Sequence, residues 1–131
     1  MAKVPLISVV DDDESVRESL DGLLRSVGFA VKVFASAEEF LNSDHLYEID
    51  CLLLDVRLPG MNGIELHRRL VANHCEVPVV FITAHGSEER VRSQAFQNGA
   101  VDYLIKPLCE DTVLAAVHKA VSAKRHTQGQ S

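Results

Sequence analysis

The sequence predicts an α/β domain built as a doubly wound parallel sheet, five strands alternating with five helices. Three observations predict it. Short aliphatic runs recur along the chain, and the fullest of them, "CLLLD" at 51–55, is apolar throughout until its last residue, as a strand covered on both faces is. Between the runs, apolar residues fall at helical spacing. Glycine and proline mark most of the junctions.

The elements follow in order. "LISVV" at 6–10 is the first strand and stops at Asp11. Val16, Leu20, Leu23, Leu24 and Val27 then keep helical spacing until Gly28 ends the helix. "AVKVF" at 30–34 alternates and carries Lys32 in its middle, which suits an edge strand. Ser36 with Glu39 forms a capping box for a short helix through Phe40 and Leu41, whose end is blurred by "NSDHLYEID". "CLLLD" is the third strand. Asn62 with Glu65 caps a helix whose inner face carries Leu66 and Leu70. After Pro78, "VVFI" at 79–82 is the fourth strand. Ser87 to Asn98 reads as a helix through Val91 and Ala95, closed by Gly99. "VDYLI" at 101–105 is the fifth strand, broken by Pro107, and Val113, Val117 and Val121 line the last helix. From Arg125 the tail "RHTQGQS" has no apolar anchor and is expected to fray. The expected division is therefore a domain over residues 1–122 and a polar tail or linker start over 123–131.

Composition narrows the function classes. The chain has 131 residues, enough for one domain and its core, and 47% are apolar. The net charge of −6, with no Arg/Lys stripe and no aromatic platform, argues against direct nucleic-acid binding. The three cysteines, Cys51, Cys75 and Cys109, include no CxxC pair, so a disulfide framework is not expected and a reducing compartment fits. No apolar run approaches the roughly 20 residues of a membrane span, and "MAKVPLISVVDDD" reaches acids too early for a signal peptide. A cytoplasmic location is expected.

The chemistry lies at the strand ends. In a parallel sheet all strand C-termini meet one edge, and ligands gather there where strand order reverses. Strand one ends in Asp11 and Asp12, with Asp13 following; strand three in Asp55; strand four in Thr83; strand five in Lys106. Strand two ends without a chemical group. The flavodoxin-like order 2-1-3-4-5, adopted by analogy with known doubly wound sheets since periodicity does not supply it, sets the three acids at that reversal. Each close pair of carboxylates costs about 4 kcal/mol at 4 Å for an effective dielectric of ~20, before relaxation. One lysine does not cancel three acids. A hard divalent cation does, and oxygen ligands without histidine favour Mg²⁺ over zinc. The main-chain carbonyl of Arg57 is placed to join the shell. Asp55 is then a candidate nucleophile for phosphoryl transfer, with Lys106 and the Thr83 hydroxyl beside the transferred oxygens. Each residue also has a plainer reading. The Asp11–Asp13 run can cap the first helix, Asp55 can form a turn, Thr83 and Lys106 can be surface groups, and Tyr103 can be core. The histidines show no metal spacing and read as surface residues.

With these pieces in place, "VVDDD", "LLLDVRLPGMNG", "VVFITAHG" and "GAVDYLIKPL" in order, the chain resembles the response-regulator receiver domain of two-component signal transduction. The resemblance runs from Pro5 to Ser122. It implies Asp55 as phosphoacceptor, Asp11 and Asp12 as the acidic pair with Asp12 the more direct Mg²⁺ ligand, and Arg57 as the carbonyl ligand. It further implies Thr83 and Tyr103 as switch residues, Lys106 as the phosphoryl-pairing lysine, and a cis bond before Pro107. The implied partners are a sensor histidine kinase or a histidine phosphotransfer protein, and a phosphorylation-dependent homodimer through helix 4, strand 5 and helix 5. His85 and Gly86 resemble the subgroup fused to helix-turn-helix DNA-binding output domains, which implies transcription regulation through an output domain. Tandem Asp11-Asp12-Asp13 leaves the register of the acidic pair open by one residue. The chain is expected to catalyse only its own phosphoryl transfer and dephosphorylation. Two other classes stand beside this reading. A phosphorylation-independent pseudo-receiver would keep the fold without the chemistry. A Mg²⁺-dependent phosphohydrolase with an aspartate nucleophile resembles "DxDx(T/V)", but Arg57 stands where its second acid belongs.

Overall fold

In the computed structural model, residues 4–44, 46–84 and 89–129 are described, with side chains through 124. Five strands form one parallel sheet in the order β2-β1-β3-β4-β5: β1 Leu6–Val10, β2 Ala30–Phe34, β3 Cys51–Asp55, β4 Val79–Thr83 and β5 Asp102–Ile105. The helices are α1 Glu14–Ser26, α2 Ala37–Leu41, α3 Gly63–Ala72, α4 Glu89–Gln97 and α5 Glu110–Gly129, with a 3-10 turn at Leu46–Glu48. His85 and Gly86, which resemble the helix-turn-helix subgroup, and Ser87, the expected start of the fourth helix, lie outside the described residues.

Strand period decides where the core sits. Alternate side chains of a strand point to opposite faces. Leu52 and Leu54 of β3, with Val79 and Phe81 of β4, join α2, α3 and α4 on one face. Cys51 and Leu53, with Val80 and Ile82, join α1 and α5 on the other. β3 lies at the centre of the sheet, and all five of its residues are buried. β2 is an edge strand, and the exposure of Lys32 follows from that.

The helix ends form as their capping residues dictate. Ser36 accepts from the Glu39 N–H at 3.0 Å and Asn62 from the Glu65 N–H at 2.9 Å. Gly28 and Gly99 both take φ +98° just past a helix end, a conformation that glycine adopts without steric cost.

Two features differ from what the sequence predicts, the length of α5 and the burial of His67. α2 is the short helix expected, and the segment after it, blurred in the sequence, is organised by remote bonds. Asp50 accepts from the Leu6 N–H at 2.8 Å, and the Lys124 ammonium donates to the Tyr47 and Ile49 carbonyls. α5 continues to Gly129, beyond the point where fraying was expected, since extending an existing helix needs no new nucleation. Lys124 is itself buried by its two carbonyl partners, so a polar group anchors a stretch that has no apolar anchor. Finally, His67 is a core residue at 4% exposure, edge-on to Phe81 with ring centroids 5.4 Å apart. Its place three residues from both Ile64 and Leu70 is the helical signal that marks it.

Candidate phosphoryl and metal site

The register brings the strand-end residues to one level. Val10 pairs with Leu54, so Asp11 and Asp55 stand side by side at the C-terminal edge. Thr83 pairs with Ile105, and its carbonyl accepts the Lys106 N–H at 2.7 Å, which sets Lys106 at the same edge.

The three successive acids divide by environment. Asp11 is fully buried, and its Oδ1 accepts from the Asp13 N–H at 2.8 Å. Asp13 turns away and caps α1, accepting from the Ser15 N–H at 2.8 Å. Asp12 is exposed and joins Asp11 and Asp55 in a cluster whose ligand atoms all lie within 4.8 Å of one another. Among the described residues this is the one such group of three or more possible metal ligands. Arg17, which carried no mark in the sequence, donates to the Asp11 carbonyl at 2.8 Å.

Asp55 is 4% exposed and is held from two sides. Its Oδ1 accepts from the Arg57 N–H at 3.0 Å, and the Lys106 Nζ lies 3.1 Å from its Oδ2. The same Nζ lies 2.9 Å from Asp11 Oδ2. Burial pushes the Asp55 carboxyl above its ordinary value and the Asp11 charge adds to that; the Arg57 N–H and Lys106 oppose them without prevailing. Burial pulls Lys106 down, but its contacts with Asp11 and Asp55 and their charges outweigh it and hold the ammonium above its ordinary value. With all three acids ionised, Lys106 leaves two negative charges in the cluster uncompensated. Oxygen-only donors and an excess of negative charge fit a hard divalent cation.

The turn between β3 and α3 is tightly wound around Asp55. The Gly63 N–H donates to the Val56 carbonyl at 2.9 Å, and a Cβ at position 63 would stand 2.2 Å from the Asp55 carbonyl oxygen. Only glycine fits there. The Lys106–Pro107 peptide bond is cis. Thr83 is fully buried at the end of β4. Tyr103 is buried too, hydroxyl included, with its ring tilted against Phe81 at 6.4 Å. Burial raises its phenol above the ordinary value, and the Thr83 side chain acts in the opposite direction. Tyr103 pairs with Phe81, so Thr83, two residues further along β4, lies diagonally beside it on the same face of the sheet. Glu38, also unmarked in the sequence, reaches the turn from α2.

Comparison with known proteins agrees with this geometry. The response regulator receiver domain family matches residues 7–118. The chain is 40% identical over 116 residues to the response regulator protein TmoT of Ectopseudomonas mendocina, covering 88% of this chain and 52% of that protein. It is 39% identical over 115 residues to the transcriptional regulatory protein FixJ of Bradyrhizobium diazoefficiens, covering 88% and 56% respectively. A solved structure of the response regulator StyR superposes with a TM-score of 0.85 at 44% identity, covering 98% of this chain and 67% of that one. The chain spans about half the length of the curated relatives it matches. No described helix is long and apolar enough to cross a membrane.

Proposed function

The chain belongs to the response regulator receiver domain family, and from that premise we propose that Asp55 accepts a phosphoryl group from the phosphohistidine of a sensor histidine kinase or a histidine phosphotransfer protein. The observation that carries this reading is the buried Asp55 carboxylate, paired with Lys106 and clustered with Asp11 and Asp12 at the open edge of the sheet. An Asp55 carboxylate oxygen attacks the phosphorus in line. The new P–O bond forms as the P–N bond breaks, and the histidine nitrogen departs with the electron pair. Lys106, positively charged and already on Asp55, pairs with the phosphoryl oxygens. Asp11, Asp12, Asp55 and the Arg57 main-chain carbonyl would hold Mg²⁺. The bound ion supplies charge neutralisation for the carboxylates and the incoming phosphoryl oxygens. Water later hydrolyses the acyl phosphate, so the domain catalyses only its own modification and its reversal.

The signal is carried by a two-state shift. Thr83 moves toward the new oxygens, and Tyr103, already buried against it, follows the space it leaves. Phe96 of α4 and Ile105 of β5 are 40% and 49% exposed, which supports a phosphorylation-dependent homodimer through α4, β5 and α5. The transcriptional role in FixJ's name supports regulation of transcription through an output domain beyond this receiver. Beryllofluoride, a phosphoryl mimic, tests the site. With Mg²⁺ it should give bound fluorine resonances in the wild type and none in Asp55→Asn. Their absence from the folded wild type would favour a phosphorylation-independent interaction module.

A further inference from the structure

The turn after β3 is held from outside as well as from within. The Met61 N–H donates to Glu38 Oε2 at 3.0 Å, although Glu38 lies 23 residues earlier, in the first turn of α2. A Cβ at Gly60 would stand 2.7 Å from that same oxygen, and Gly60 takes φ +76°. The carboxylate therefore rests against the backbone of two successive turn residues. α2 does not need Glu38 for its own start, because the Ser36 hydroxyl caps it through the Glu39 N–H. The Met61 N–H, and then Glu38's own N–H, hold the carboxyl below its usual range, so the acceptor stays ionised at working pH.

Among the described residues, the other backbone hydrogen bonds of this turn lie at its ends. Arg57 is bound to Asp55 Oδ1 at one end, and Asn62 and Gly63 are fixed by the α3 cap and the Val56 carbonyl at the other. The middle, at Gly60 and Met61, is pinned by Glu38. Losing a group that holds a metal ligand in place typically costs about ten- to a hundred-fold in metal affinity. We propose that Glu38 is a positioning residue for the metal site: by pinning the Gly60–Met61 backbone it fixes the path of the turn and so the placement of the Arg57 carbonyl. This rests on the reading of that carbonyl as a Mg²⁺ ligand.

The test is a Mg²⁺ titration of the full chain followed by amide NMR, with thermal midpoints in EDTA alongside. Glu38→Ala should raise the Mg²⁺ Kd about ten-fold with an unchanged midpoint. Glu38→Gln keeps an acceptor oxygen and should stay near wild type. Two results would overturn the proposal: wild-type affinity in Glu38→Ala, or a Gln variant as weak as Ala. Failure of the wild type itself to bind Mg²⁺ would overturn the metal reading together with this one. Wild-type binding with an unaffected Glu38→Ala would overturn this one alone.

Discussion

Asp12 is the exposed member of three clustered carboxylates, and its two neighbours are buried. Its charge repels theirs in the metal-free protein and attracts a cation when one arrives. Asp12→Asn should therefore weaken Mg²⁺ binding and raise metal-free stability, the latter by no more than about 1 kcal/mol because water screens an exposed group. Denaturant melts with and without Mg²⁺ check this; an equal metal effect in both proteins contradicts it. The site residues were legible one at a time because each interrupts an aliphatic run: Asp11, Asp55, Thr83 and Lys106 all follow apolar strands. What three identical acids in a row left open was the register of the acidic pair, by one residue. Burial of Asp11, clustering of Asp12 and capping by Asp13 depend on the backbone path, and no residue type encodes that locally. Glu38 was unreadable for a related reason, since its contact spans 23 residues and its neighbours in sequence are ordinary helix residues.

α3 carries two predictions at the scale of an element. Its first residue, Gly63, lies where a Cβ would meet the Asp55 carbonyl oxygen at 2.2 Å. Both sides of that contact are tied to the sheet, so Gly63→Ala should cost about 2 kcal/mol or more and impair phosphoryl acceptance by displacing Asp55. Urea unfolding beside acetyl phosphate labelling measures both; a stable, fully labelled variant contradicts the close approach. Further along, burial holds the His67 imidazole below its ordinary value. Its folded value lies under its unfolded one, near 6.5, so protonation favours the unfolded chain. The stability it permits is present above about pH 6.5 and is lost as pH falls through the folded value. His67→Leu removes that loss. Urea midpoints of the two proteins should converge, or cross in favour of the variant, as pH falls from 8 to 5; parallel profiles contradict the assignment. The capping signals of α2 and α3 were readable because a cap is local chemistry. The end of α2 was not, because Asp50 and Lys124 organise it through partners more than 40 residues away.

For the whole molecule, the parallel sheet followed from apolar strands between amphipathic helices, and the edge position of β2 from Lys32. Strand order is a property of pairing between distant segments, and it came from likeness to known folds. Order is what matters most for function, since placing β1 beside β3 joins Asp11 and Asp12 to Asp55, and β4 and β5 bring Thr83 and Lys106 to the same edge. Two cores, one on each face, hold that edge rigid while leaving it open. The central claim is that this edge takes a phosphoryl group on Asp55. Intact-protein mass after incubation with acetyl phosphate and Mg²⁺ tests it most directly, with Asp55→Asn and a metal-free sample alongside. The wild type with Mg²⁺ should gain one phosphoryl group, and neither the variant nor the metal-free sample should gain any. Equal labelling of Asp55→Asn would contradict it.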